Sequence, residues 1–389
     1  MAIFYWFKRQ RDNLYLGCLA FFLFLMTIQL SYFVPFLLPM NQIFLIVKLI
    51  STIVGLKFLL FDRWSVQQKI VIFIMLIFFY YLTTVSHDSS IFYYAVFIVG
   101  AADVPFRKIL TTYLCSATFS TLVIILAYLI RLIPGQIITR LGHHFIMRFS
   151  LGFLTPTDFA ARTFYLLLAY YAWRNLQLKK IEQLVSLLLI FLIFILTNAR
   201  LDLILMLSLW LVGFKSELFI QLVEKINYKF LTLFVSCYIL GNVSLAYFFN
   251  PHSHILQQIN HLLSNRLLFG YIALHQHGIS LFGKYIIETS NGTISPHPPA
   301  NYFYVDSSYI RLLVISGMLV SILVMFLLYF LLKKLFVAKE YGILVFLLLA
   351  ILSSAIDQHL VELSYNIIFL ATFASVNQSG TKENSFLGI

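Results

Sequence analysis

The chain has 389 residues, of which 61% are hydrophobic and only 11% charged, with a mean hydropathy of +0.91, whereas an ordinary soluble domain carries about 25% charged residues. That balance excludes a soluble enzyme and calls for one all-α, polytopic membrane bundle over 1–389, because backbone in lipid must satisfy its hydrogen bonds internally. The formal charge of +12 falls in short clusters between apolar runs rather than on a continuous basic face, which is a topology signal and not a nucleic-acid footprint.

Lys8, Arg9 and Arg11 precede a first apolar run, 14–38, that is too long for a signal peptide and has no small-residue cleavage site. Further runs at 43–61, 70–86, 90–102, 109–130, 159–174, 183–197, 201–213, 230–249, 309–332, 341–356 and 360–376 give about twelve expected spans, with no strand required anywhere. With the N-terminus inside, the pairs Arg63/Lys69 and Arg107/Lys108 and the groups Arg174/Lys179/Lys180, Lys215/Lys225/Lys229 and Lys333/Lys334/Lys339 all fall on the cytoplasmic side, as the positive-inside rule requires. Both termini are then cytoplasmic. The runs at 90–102 and 201–213 are short for a bilayer and read as re-entrant or broken. Lys48 and Lys57 are expected to snorkel toward opposite interfaces. Cys18, Cys115 and Cys237 lie inside apolar runs without a CxxC pattern and read as buried thiols.

The same topology turns Arg131, Arg140, Arg148, Arg200, Arg266 and Arg311 outward. Arginine suits bidentate phosphate contacts; anchoring at outer headgroups is the plain alternative. Asn250 to Ser308 is the one long stretch that is not a plausible span, and it reads as a large extracytoplasmic loop. Taken as a helix, Ser253–Gly270 gathers Ile255, Ile259, Leu262 and Leu263 on one face and Gln257, His261, Ser264 and Asn265 on the other. Arg266 then falls on the apolar face and is expected to point into a cleft, unless it snorkels past its own stem.

Arg200 sits near membrane depth, where charge is functional by default, with Asp202 as a partner only if the helix breaks there. His359, Glu362 and Asn366 would share one face of a last helix, either as a functional stripe or as interhelical hydrogen bonds. Asp158 and Arg162 follow Pro156 with the spacing of a helix start and a local ion pair. His297 lies in a proline-rich stretch before Asp306. No HExxH, phosphate-binding glycine loop, nucleophile elbow or DxD pair is present, which argues against protease, ATPase, lipase and metal-dependent glycosyltransferase chemistry.

In architecture the chain resembles the Wzy-type O-antigen and capsular or exopolysaccharide polymerases, relatives of the O-antigen ligases. The local motifs are Arg148-Phe149-Ser150-Leu151-Gly152-Phe153 with Pro156, similar to that family's R-x-S-L-G-F segment, and Thr197-Asn198-Ala199-Arg200, similar to its T-x-S-R turn. They continue in order with Asn265-Arg266, Ile279-Ser280-Leu281-Phe282-Gly283, and Asp306-Ser307-Ser308-Tyr309 with Gly317. Thr155-Pro156-Thr157 stands where His-Pro-Asn is common in the family, so no role for that histidine carries over.

The resemblance implies a glycosyltransferase without metal or other cofactor, acting on polyprenyl (undecaprenyl)-diphosphate-linked oligosaccharide at the outer face of the bacterial cytoplasmic membrane. Arg200 and Arg266 would clamp the diphosphate, and His297 or Glu362 would serve as base. Arg148, Arg311, Asp306, Tyr309, His359 and Asn366 would contact substrate. Membrane lipid and a chain-length regulator are the expected partners. Transfer to a different acceptor, as in a ligase, and a lipid-linked oligosaccharide flippase are the alternatives; a flippase should show repeats with paired broken helices.

Overall fold

The computed structural model describes residues 10–140, 146–289 and 302–376. It is mostly helical, at 73%. Apart from the single turn Phe33–Phe36, the α-helices in chain order are α1 (Arg11–Gln29), α2 (Met40–Phe61), α3 (Val66–Ser86), α4 (Ser90–Gly100) and α5 (Phe106–Leu129), followed by α6 (Pro156–Trp173), α7 (Lys180–Thr197), α8 (Arg200–Phe214), α9 (Ser216–Lys225) and α10 (Tyr228–Tyr247). Then come α11 (His254–Leu262), α12 (Arg266–Ile272), α13 (Ser308–Arg311), α14 (Met318–Val337) and α15 (Tyr341–Ser353). Among the described residues seven of these, α1, α2, α3, α5, α7, α10 and α14, are long and apolar enough to cross a membrane. Their outer faces carry exposed aliphatics such as Leu45, Leu49, Ile70 and Ile74, as a lipid-facing surface requires. The chain is a multi-pass membrane protein.

The centre of the bundle is α6, whose Arg162, Phe164, Tyr165 and Tyr171 are buried and which packs against α5, α7, α8 and α15. Its start is set by Thr155, whose hydroxyl accepts from the Asp158 amide at 3.1 Å, and by Pro156 in the first turn. The expected ion pair between Asp158 and Arg162 is not formed among the described residues. Arg162 instead lies under the Tyr365 ring at 3.9 Å and donates to the Ser364 carbonyl, both in the neighbouring 360–376 segment.

Several expectations are revised. A hairpin of β1 (Ile137–Arg140) and β2 (Ile146–Phe149) pairs Ile138 with Arg148, where no strand was expected; Ile137, Ile138 and Thr139 are β-branched, which favours extended backbone. The short runs at 90–102 and 201–213 are not among these revisions: they hold the short α4 and an α8 that turns by 87° into α9. The run at 360–376 is not a helix. It consists of turns and two short 3₁₀ segments, His359–Val361 and Ile368–Thr372. It is almost wholly buried, and side chains of its neighbours satisfy much of its backbone: Tyr94 and Tyr113 donate to the Asn366 and Tyr365 carbonyls, and Lys334 Nζ donates to those of Ala371, Thr372 and Ala374. Irregular backbone at this depth is tolerated only when protein surrounds it.

Lys57 does not snorkel. Its Nζ is buried between Asp62, at 2.8 Å, and the Gly100 carbonyl, at 2.7 Å. Cys115 and Cys237 are exposed on their helices rather than buried, and Cys18 is half-buried.

The stretch after α10 does not hold one long helix. Ser264 and Asn265 adopt left-handed backbone, with φ of 54° and 67°, and split it into α11 and α12. The buried Asn260 stitches the break, donating to Asn265 Oδ1 at 3.0 Å and accepting from the Leu268 amide at 3.1 Å. Further on, residues 279–284 run along the break between α13 and α14. Met318 donates to the Ser280 carbonyl and Lys284 to that of Ile315, both at 2.9 Å. Gly283 and Gly317 meet there backbone to backbone, at φ of 84° and 95°; a Cβ on either would overlap the other's chain.

Candidate functional site

At the end of the bundle where α6 and α8 begin, a cavity of about 440 Å³ opens. Two helix N-termini, the positive ends of their helix dipoles, therefore border it. It gathers Arg148, Arg200, Arg266 and His359 with Asp158, Asp202, Asp306 and Asp357, from five separate parts of the chain.

Arg148 is placed by the hairpin, and Arg200 and Arg266 each by a local break. Arg148, on β2, donates from Nε to the Thr197 carbonyl at 2.6 Å, tying the hairpin to the end of α7. Asn198 ends α7 in left-handed conformation, φ 47°, and makes Arg200 the first residue of α8. Arg200 is exposed and makes no hydrogen bond or ion pair among the described residues; Asp202 is not its partner. Arg266 opens α12 immediately after the Ser264-Asn265 break. Its Nε donates to the Ile356 carbonyl at 2.5 Å and its Nη1 to that of Leu263 at 3.2 Å, and Asp306 stands 3.7 Å away. Backbone carbonyls thus fix the guanidinium while leaving Nη2 without a partner among the described residues.

The opposing wall is built by two strands of irregular chain. Ser308 ties them together, donating from its amide and hydroxyl to the Asp357 carbonyl at 3.0 and 2.6 Å and accepting from the Leu360 amide. His359 is buried, with Nδ1 2.7 Å from Glu362 Oε2 and its ring stacked on Tyr365 at 3.7 Å. Burial pushes the Asp306 and Asp357 carboxyls above the usual range, with Arg266 pulling the first back and His359 the second. Burial works against charge on His359, but Glu362 and Asp357 outweigh it and raise the imidazole. Asp357 Oδ2 and Asn198 Oδ1 are buried acceptors with no donor among the described residues.

Of the sequence-derived candidates, Arg148, Arg200, Arg266, Asp306 and His359 meet at this cavity. The other described candidates do not line it. Arg311 is engaged by Glu288, with both carboxylate oxygens 2.8 Å from Nη1. Tyr309 is buried and donates to the Ile351 carbonyl at 2.5 Å. Asn366 is buried within the 360–376 turns, bonded to Leu360 and Ile368; with no helix there, it cannot share a face with His359 and Glu362. Glu362 stands behind His359, and Ser364 donates to it at 2.9 Å. His297 lies outside the described residues.

Sequence reasoning did not single out Asp357, Tyr302, Tyr304 or Gln358. Tyr304 donates to Gln358, joining the two irregular strands. The run Asp357-Gln358-His359, three polar residues between apolar stretches, is the signal that pointed there. Among the described residues no three His, Cys, Asp or Glu side chains gather closely enough to hold a metal ion. Comparison with family models, with curated proteins and with solved structures gave no match.

Proposed function

We propose that the protein is a polysaccharide polymerase, a membrane glycosyltransferase that joins polyprenyl-diphosphate-linked oligosaccharide units at the outer face of the bacterial cytoplasmic membrane. In this reading the chain crosses about twelve times, counting short and irregular segments that protein shields, with both termini inside. The observation that carries it is Arg200, exposed and unpaired among the described residues, beside Arg148 and Arg266, which backbone carbonyls hold in place. Arg200 and Arg266 bind the diphosphate, and amides at the starts of α6 and α8 add positive potential.

The acceptor hydroxyl oxygen attacks the anomeric carbon of the donor glycan, and the bond from that carbon to the diphosphate oxygen breaks. The arginines stabilise the charge on the leaving diphosphate, and the hydroxyl proton passes to a base. Asp306 and Asp357 are suited to that transfer because burial raises both toward neutrality. The acceptors on Asp357 and Asn198 that lack donors match sugar hydroxyls. Glu362 acts on His359 rather than on substrate.

The test is incubation of purified protein with a synthetic diphospholipid-linked repeat unit, resolved on a gel. A ladder is expected. A single transfer to an unrelated acceptor would replace this reading with a ligase, and translocation of unchanged substrate across vesicles would replace it with a flippase.

A further inference from the structure

A second cavity, of about 470 Å³, lies among α2, α3 and α4 and is lined mainly by apolar side chains such as Leu56, Phe73, Ile77 and Phe92. Gly55 forms part of its wall, and the space where a side chain would stand is open. Lys48 stands in the same lining. It is exposed and, unlike that of Lys57 on the same helix, its ammonium makes no hydrogen bond or ion pair among the described residues. Lys48 follows the start of α2 by eight residues, about 12 Å of helix at 1.5 Å per residue. Lys48 is the lining residue of α2 nearest that start, and its side chain leans back toward the same end.

A lone cation beside an apolar groove in a membrane protein is complementary to a lipid with one negative charge and a hydrocarbon chain. We propose that this groove binds an anionic phospholipid, with one acyl chain alongside Gly55 and the phosphodiester on Lys48. One lysine matches one phosphodiester charge. A diphosphate would call for the several arginines that the first cavity supplies and this one lacks.

The experiment is native mass spectrometry of the full chain released from micelles doped with phosphatidylglycerol, phosphatidylcholine or polyprenyl phosphate in turn. Wild type is expected to retain phosphatidylglycerol over phosphatidylcholine by about fivefold, the contribution of one basic residue at a lipid surface. Lys48→Gln should abolish that preference. Gly55→Leu, whose side chain enters open space, should reduce retention of both phospholipids. Equal retention of the two phospholipids by wild type, a preference that survives in Lys48→Gln, or stronger retention of polyprenyl phosphate than of phosphatidylglycerol would each overturn the proposal.

Discussion

The Nδ1 of His359 lies 2.7 Å from the Glu362 carboxylate, where the buried, non-helical stretch begins. The folded chain holds the imidazole proton more tightly than the ordinary value of 6.5. The pair's contribution to stability is therefore full below that value and is lost as pH rises through the raised one. Thermal unfolding in detergent should show a midpoint that falls by a few degrees as pH rises from below the ordinary imidazole value through the raised one. Glu362→Gln should flatten that slope; an unchanged slope would remove the pair from the account.

Arg200→Ala and Arg266→Ala should each lower polymer formation by at least about 100-fold, as expected for loss of charge stabilisation on a leaving group. Arg200→Ala should leave the unfolding midpoint in place, because Arg200 makes no bond within the described residues. Arg266→Lys should fail like alanine, since an ammonium cannot hold the Ile356 and Leu263 carbonyls and face the cavity together. Near-normal polymer from correctly inserted Arg200→Ala would end the diphosphate role.

Arg311 behaves differently. Its partner Glu288 also accepts from the Val305 amide at 3.0 Å, so the pair anchors the approach to α13. Arg311→Met alone should destabilise by about 3 kcal/mol, because a half-buried carboxylate is left unpaired, and pairing it with Glu288→Met should recover most of that loss. A thermodynamic cycle of unfolding midpoints reads this directly. Additive losses would contradict it.

The contact between Gly283 and Gly317 leaves no room for a methyl group on either side, and both positions have positive φ. Alanine at either should cost about 2–3 kcal/mol, seen as a lower midpoint and reduced yield of folded protein. Tolerance of both alanines would mean that residues 279–284 do not seat against the start of α14.

The sequence disclosed the helices wherever an apolar run met a cap or a charge cluster. Pro156 marked the start of α6, and Asn198 the end of α7. It concealed the state of 360–376, because the same apolar composition serves a lipid-facing helix and an irregular strand sheathed in protein. That one misreading displaced Asn366 and Glu362 from the cavity. The Arg266 cleft was expected for a helical face that does not exist; the arginine arrives there because left-handed Ser264 and Asn265 redirect the chain, and period counting carries no term for such a turn. Arg311 looked like Arg200 in sequence, and only the fold supplied Glu288 beside it.

The non-helical stretch also bears on how the protein is made. A helix can leave the insertion machinery and rest in lipid alone, since its backbone bonds are internal. Residues 360–376 cannot do so. Their carbonyls depend on Tyr94, Tyr113, Arg162 and Lys334, which come from four different helices. This stretch must therefore wait until α4, α5, α6 and α14 have gathered. The wall carrying His359 is completed only when assembly of the bundle is complete, so chains with misassembled helices would be left without a finished cavity.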